Sequence, residues 1–502
     1  MKTNMALIAA AFAAMAANAG LPQAELAMVR DYGAKKLISI SKSAPKSLRF
    51  TKAEAEAIHS AWMAERKAIG YVEKRPFKYG HAFMKWASLY RESHPDYLGL
   101  TPYGTRGISP EGWPKRFLHQ SKLCVSNPSV VDKIIADWQR KGAKEYLCVC
   151  ENDGLMGFCR CGKCCALDVG KSGEAFTLHK TDRYLDFWNR VCERAIAVRP
   201  DVKVIAYAYS AYRFPPRRER VRYPDALLLG YVPSIFDDAK ADIAGWRKAG
   251  LKRFFVRPNF LCNKGVLPRG LERFIYDNYR QMREAGSIGT DHDLYGDGDP
   301  ATAFEVYVAL RQAVDANVAF ETVERDWCAR FGAAAETAKA YYARVRARCG
   351  VRWPTLLADL KGKYGDFLDD SHFGAYIYRL HTKEDLRGDL DRLESFSGAE
   401  LDAVAAKRFT DLKTNVRHQM MSWCIEAGDA SQSRAELEAF RAANRDALGP
   451  MLGFWYRRFP DPADKDAARS IEVLPPGIGT ALGADRFERS AKAAGVVNAS
   501  KK

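Results

Sequence analysis

Long hydrophobic runs are missing from this 502-residue chain beyond its first nineteen residues, which excludes a helical membrane span in the remainder. Cysteine is sparse, at 12 residues in 502, far below the density of a small disulfide-stapled scaffold. The 37 glycines and 22 prolines fall in no internal repeat, so a collagen-like chain is excluded. Acidic residues are outnumbered, 61 Asp+Glu against 78 Lys+Arg, for a formal charge of +17. That balance suits nucleic acid, an anionic surface or an anionic glycan. The basic residues are spread along the chain, however, which reads as an ordinary soluble surface.

What is present points to a large folded chain. Apolar residues make up 47% and aromatics 12%, enough to bury a sizeable core and to exclude a disordered chain. Residues 1–19 carry Lys2, then an apolar stretch from Met5 to Ala16, then Ala17-Asn18-Ala19. This is the pattern of a signal peptide, so the chain is expected to be exported, periplasmic or extracellular, with no membrane span once the leader is removed. Export would place the cysteines in an oxidising compartment. Asn498-Ala499-Ser500 is formally a glycosylation sequon, read here as chance.

Short apolar runs recur at intervals: Tyr146–Cys150, Val204–Tyr209, Leu227–Val232, Phe254–Arg257 and Ser287–Tyr295. Runs of this length read as strands buried on both faces. Amphipathic helices are expected around and between most of them, at 128–141, 181–198, 239–249 and 270–285. Alternation of this kind predicts an α/β fold with a parallel sheet, and its spacing suits a (β/α)8-like TIM barrel. Earlier strands are weaker; Tyr79–Phe83 is one candidate and Lys36–Ile40 another. From about Ala301 the pattern turns helical and Ala-rich. Ser397 and Glu400 form a capping box expected to open a helix with a stripe of Leu401, Val404, Ala405, Leu412, Val416 and Met420. The domain reading is a leader at 1–19, a barrel at 20–330, an α-helical region at 331–482 and a polar tail at 483–502.

A parallel barrel puts its active site at the carboxyl ends of the strands. The first clear strand ends in Glu151-Asn152-Asp153, where alternation places both acids on one face if the chain stays extended. The next carries Tyr207 and Tyr209 and runs into Tyr212 and Arg213. Arg257 and Asn259 end another, and Asp291, Asp293 and Tyr295 end the last. His81 stands at a further candidate strand end. Carboxylates, tyrosines and an Arg/Asn pair on one rim are what glycoside hydrolysis requires: an acid for the leaving oxygen, a second group for the oxocarbenium-like carbon, and aromatic faces for the sugar. The competing reading of each acid is a helix cap or turn residue.

Cys159, Cys161, Cys164 and Cys165 form a second constellation soon after that rim. C-x-C-x-x-C spacing can hold structural zinc through thiolates. In an exported chain the same residues can instead pair as disulfides, and a functional thiol is the third reading. A catalytic metal is not expected, because the nearest histidine in sequence is His179. A metal-clasped nucleic-acid binder would need aromatics and Lys/Arg interleaved in one segment. They are not, so no nucleic-acid partner is expected.

Several motifs in order resemble a known family. They are Gly80-His81-Ala82-Phe83, His94-Pro95-Asp96-Tyr97, Leu123-Cys124-Val125-Ser126-Asn127-Pro128, Asn152-Asp153-Gly154 and the run from Phe158 to Cys164 followed by Asp168. Ala208–Arg213 with Pro215-Pro216, Gly289–Asp293 and Phe331–Glu336 follow. From about Gly80 to Tyr342 the chain resembles domain of unknown function family 4838, which overlaps glycoside hydrolase family 163, the endo-β-N-acetylglucosaminidases.

The resemblance implies a barrel that hydrolyses 2-acetamido glycans or glycoproteins with retention, assisted by the substrate's own acetamide, with no cofactor required for catalysis. It implies Asp153, Asp291 and Asp293 as catalytic carboxylates. His81, Glu151, Asn152, Tyr207, Tyr209, Tyr212, Arg213, Arg257, Asn259 and Tyr295 are expected to line the sugar site. Many members carry Glu near Asp293, and Glu151 has no clear counterpart. The stretch from Gly20 to Gly80 is short for the missing barrel units, so an incomplete amino-terminal part is expected. A catalytically lapsed barrel that binds glycan is the alternative.

Overall fold

Six short runs of mainly apolar sequence build one parallel sheet: β1 (Leu26–Val29), β2 (Tyr146–Cys148), β3 (Lys203–Ala208), β4 (Leu227–Tyr231), β5 (Arg253–Val256) and β6 (Gly289–His292). The computed structural model describes residues 21–449 except 31–32, 43, 101–103, 108–120, 154–157, 170–178, 262–265, 294–300, 365–367, 369–375 and 398–399. The expected leader, the polar tail, the sequon and Tyr295 lie outside the described residues.

The strand order is β1-β6-β5-β4-β3-β2, and every pairing is parallel. This is the neighbour order of a barrel, with β1 beside the last strand and a seam left between β1 and β2. The full eight-stranded barrel expected from the sequence is therefore replaced, among the described residues, by a curled six-stranded half-barrel. The segment at Lys74–Ala82 spans the seam. Lys74 exchanges both backbone hydrogen bonds with Ala27 of β1, at 2.9 and 3.1 Å, and the Ala82 amide donates to the Cys150 carbonyl at 2.9 Å. Tyr79–Phe83, expected as a strand, is this crossing segment and not a ladder strand. Lys36–Ile40 lies within a helix, Gly33–Ser41.

The β1 strand has no clear counterpart in the sequence pattern, and one glycine makes room for it. A Cβ on Gly289 (φ +151°) would sit 1.8 Å from the Leu26 carbonyl oxygen. Only glycine lets β1 and β6 approach at that register.

The crossover helices fall where periodicity places them: Pro128–Arg140, Thr181–Val198, Ala239–Lys248 and Glu272–Glu284. The β3–β4 connection departs from strict alternation and holds only a short 3-10 turn, Ser210–Tyr212. In the carboxyl-terminal part the helix expected from Ser397 begins instead at Ala403. Asp402 caps it, its carboxylate accepting from the amides of Val404 and Ala405, each at 2.9 Å. Val404 is exposed, off the buried stripe that Ala405, Phe409 and Val416 share.

Two cores result. One packs β2–β5 against helices 128–140, 181–198 and 239–248. The other joins Ile275 and Tyr276 of the last crossover helix, and Phe304–Leu310 of the next, to the helices that follow. Largely buried ion pairs cross-link the second core. Arg269 binds Glu305, and Arg346 binds both Glu272 (2.7 Å) and Glu324 (2.6 Å). Burial pushes the Glu272 carboxyl up to about 7 against the pull of Arg346.

Three histidines are enclosed in this packing: His292, His381 and His418. His292 stacks on Tyr279 at 6.4 Å. Burial draws His292 and His381 down to about 3 and His418 well below its ordinary value. Above roughly pH 6.5 both folded and unfolded chains carry them neutral, and no stability is lost. Below it the unfolded chain binds protons first, so the fold loses up to about 1.4 kcal/mol per pH unit per histidine. Denaturant unfolding from about pH 7.5 down to about pH 5 is expected to show this loss. It should be shallower in His292→Phe, which keeps a ring on Tyr279; an equal slope in the variant would refute the assignment.

Candidate active site at the carboxyl ends of the strands

The strand ends bring together an inner, locked set of side chains and an outer set nearer solvent. Innermost is Asp291, which is fully buried. Its carboxylate accepts from Arg30 Nε at 2.8 Å to each oxygen, from Arg30 Nη2, and from the Tyr79 hydroxyl. Arg30 also lies 4.9 Å over the Tyr79 ring. The three groups come from the ends of the neighbouring strands β1 and β6 and from the segment crossing the seam, so Asp291 ties that segment to the β1 side of the sheet.

Asp293, two residues on, is 9% exposed and accepts from Arg257 at 2.7 Å. Arg257 also donates to Asn259 Oδ1 at 3.0 Å and lies 5.7 Å over the Tyr207 ring. Tyr207 meets Tyr79 and His81 edge-on, each at 5.7 Å, and Tyr209 at 6.3 Å. Asp153 is exposed and accepts from the Tyr209 hydroxyl at 2.9 Å. Between Tyr209 and this rim the backbone is strained: Ser210 has φ +55° without being glycine, a conformation that surrounding structure must hold in place.

Glu151 and Asp153 do not act alike, although alternation put them on one face. The chain turns after β2, and Glu151 is buried. It accepts from the Leu123 amide (3.1 Å), the Asn152 amide (2.8 Å) and the Tyr184 hydroxyl (3.2 Å). Burial raises its carboxyl above the usual range, and nearby Lys122 opposes this. Lys122, also buried, donates to the carbonyls of Asn152 and Asp153 (2.8 Å for the latter). Burial draws its ammonium down to about 8. Glu151 and Lys122 thus clamp residues 122–123 to residues 151–153 in both directions. The Asn152 side chain donates to the Ser121 carbonyl at 2.7 Å and belongs to the same clamp.

His81 lies against this clamp, Nδ1 at 2.6 Å from the Glu151 carbonyl. A carbonyl only accepts, so Nδ1 carries the proton. Burial lowers the ring's pKa, which leaves Nε2 as an acceptor in the neutral ring.

Four expected sugar-lining residues are turned inward: Glu151 and Asn152 in the clamp just described, and Arg213 and Tyr212 in the helix layer. Arg213 is buried and paired with Asp237 at 3.0 Å. Tyr212 is buried and stacked on Tyr184 at 4.2 Å. Tyr212 ends the 3-10 turn after β3 and Arg213 follows it, and the turn carries both from the rim into the helix layer. Arg30, Tyr79, Lys122 and Tyr184 were not foreseen as site residues. Arg30 and Lys122 had a signal: each is a cation bordering an apolar run, in Leu26–Val29 and in Leu123–Val125.

The cysteines also regroup. Cys124 joins Cys159, Cys161 and Cys164, whose sulfurs all lie within 4.8 Å of one another. Cys165 is exposed and outside the group.

Against known proteins, the family described as "Domain of unknown function (DUF4838)" matches residues 33–343. No curated protein matches. Among solved structures, a mutant O-GlcNAc hydrolase of Thermobaculum terrenum aligns at 11% identity. The alignment covers 74% of this chain and 76% of that one, with a TM-score of 0.31. A superposition that loose has no bearing on the site.

The locked and exposed acids should separate in stability measurements. Asp291→Ala leaves the Arg30 guanidinium without its carboxylate, and a loss of about 3–5 kcal/mol is expected. Asp153→Asn, on the surface, is expected to stay within about 0.5 kcal/mol of the parent. Urea unfolding of both variants checks this, and a loss below about 1 kcal/mol for Asp291→Ala would contradict the locking role.

Proposed function

The chain belongs to the DUF4838 family, and for this member we propose glycoside hydrolysis of a 2-acetamido glycan at the strand-end rim, in an exported protein. The observation that carries the reading is the placement of Asp153 and Asp293 around the Tyr207–Tyr209 aromatic wall, each oriented by a neighbouring hydrogen-bond donor.

In this reading Asp153 is the acid/base. Its carboxylic acid protonates the leaving glycosidic oxygen as the bond to the anomeric carbon breaks, and the Tyr209 hydroxyl fixes its orientation. The substrate's acetamide oxygen closes onto the anomeric carbon from the opposite face. Asp293, held by Arg257, accepts the acetamide N–H and aligns that oxygen. Water then opens the cyclic intermediate while Asp153 takes its proton, restoring the starting configuration. Tyr207 and Tyr209 offer ring faces to the sugar. Neutral His81 offers Nε2 to a sugar hydroxyl. Asp291 is a positioning residue, since it is buried on Arg30 and Tyr79.

Binding without hydrolysis is the second reading. The Arg257 clamp on Asp293, just past the end of the last strand, favours it, because a carboxylate held by a guanidinium can bind sugar hydroxyls without exchanging a proton.

Incubation of the purified full chain with N-glycoproteins, followed by mass analysis of released glycan, tests the first reading. Turnover is expected, with Asp153→Asn slower by about 10²–10⁴-fold. Folded protein that releases nothing from a broad glycan panel, yet binds an array equally well with and without Asp153→Asn, would establish the second reading instead.

A further inference from the structure

Four thiols from two stretches of chain, Cys124 and the run Cys159–Cys164, meet beside the rim, and catalysis as proposed uses none of them. Cys124 follows Lys122-Leu123, the pair clamped to Glu151. Cys159 follows Asp153 at the other side of the same rim. Cys161 and Cys164 flank the start of the short helix Gly162–Ala166, where the Cys161 sulfur accepts from the Cys164 amide at 3.4 Å.

The spacing of the sulfurs is informative. Cys124 Sγ lies 3.6 Å from Cys159, 3.7 Å from Cys161 and 3.9 Å from Cys164. A disulfide requires about 2.05 Å. Four thiolates placed tetrahedrally at about 2.3 Å from a zinc ion stand about 3.8 Å apart along every edge. The three separations from Cys124 fall close to that value and far from the covalent one, and all four sulfurs lie within 4.8 Å of one another.

The surroundings suit thiolates as well. The Leu100 amide donates to Cys159 Sγ at 3.3 Å. The Ser126 hydroxyl lies 3.1 Å from Cys164 Sγ and 3.7 Å from Cys161 Sγ. The Arg106 guanidinium stands beside Cys124 and Cys161. Four thiolates and one divalent ion leave two negative charges, which these donors and this cation offset. Soft sulfur donors in a tetrahedral set select zinc over magnesium or calcium.

We propose that Cys124, Cys159, Cys161 and Cys164 bind one zinc ion as a closed structural site. With all four positions filled by protein, the ion has no place for substrate or water and takes no part in hydrolysis. Its effect is mechanical. It fastens the chain after Lys122 to the chain after Asp153, so that both ends of the Glu151–Lys122 clamp are held from outside. Cys165 is left out, as its exposed position requires.

Elemental analysis of the purified full chain, free of metal-affinity tags, is expected to give about one zinc per chain. Cys165→Ser should retain it, while Cys124→Ser and Cys161→Ser should fall more than about tenfold in metal content. Those two variants can fail to fold, so cobalt replacement of the parent chain provides a second measurement. Growth in cobalt should give the thiolate-to-cobalt charge-transfer band and the strong d–d bands of a tetrahedral site. Parent chain with no zinc or with iron in its place, a disulfide among the four cysteines by mass, or cobalt protein without thiolate bands would each overturn the proposal. None of these measurements depends on whether the chain hydrolyses a glycan.

Discussion

The buried pair between Arg30 and Asp291 is the constraint on which the rim depends. It joins the ends of β1 and β6, and through the Tyr79 hydroxyl it also holds the segment that crosses the seam between β1 and β2. An isolated ion in that position would be expensive, and a bidentate guanidinium–carboxylate contact is the geometry that offsets the desolvation. Gly289 is its backbone counterpart, because it lets the two strands close to the distance at which Arg30 reaches Asp291. With Tyr79 fixed, its ring sets Tyr207, and Tyr207 in turn meets His81, Tyr209 and Arg257. The aromatic wall therefore inherits its position from an ion pair beneath it.

The acids of the rim divide by depth. Asp291 and Glu151 are enclosed and serve as anchors, one across the seam and one across the 122–123 and 151–153 segments. Asp153 and Asp293 lie further out, each oriented by a neighbour. Such an arrangement fixes reacting groups through side chains that are themselves packed, as a preorganised site requires. The four-thiol group extends the same logic outward by gripping the loops that leave the rim on either side.

The carboxyl-terminal helices share a core with the last crossover helices instead of standing apart. Trp327 stacks on Phe304 and meets Tyr307 at a tilt, within the same core as Ile275 and Tyr276 of the last crossover helix, and Arg346 reaches from the long helix Ala335–Tyr364 to Glu272 and Glu324. Among the described residues no helix is long and apolar enough to cross a membrane.

The sequence by itself determined the local elements. Five strands and four crossover helices could be read from apolar runs and helical periodicity, because burial on both faces or on one stripe leaves a pattern within a few residues. It also placed Asp153, Asp293, Arg257 and Tyr209 near strand ends, since in a parallel sheet strand direction and chain order settle which end faces the site. Only the tertiary structure decided what joins across distance. β1 is an apolar run of four residues, no shorter than β2, β5 or β6, and what places it in the sheet is its reception by Gly289 and Lys74. Cys124 replaced Cys165 in the thiol group because folding brings Leu123 to Glu151, whereas sequence proximity favoured the adjacent cysteine. Glu151 and Asp153 parted company because the chain turns after β2, and alternation holds only while the backbone stays extended.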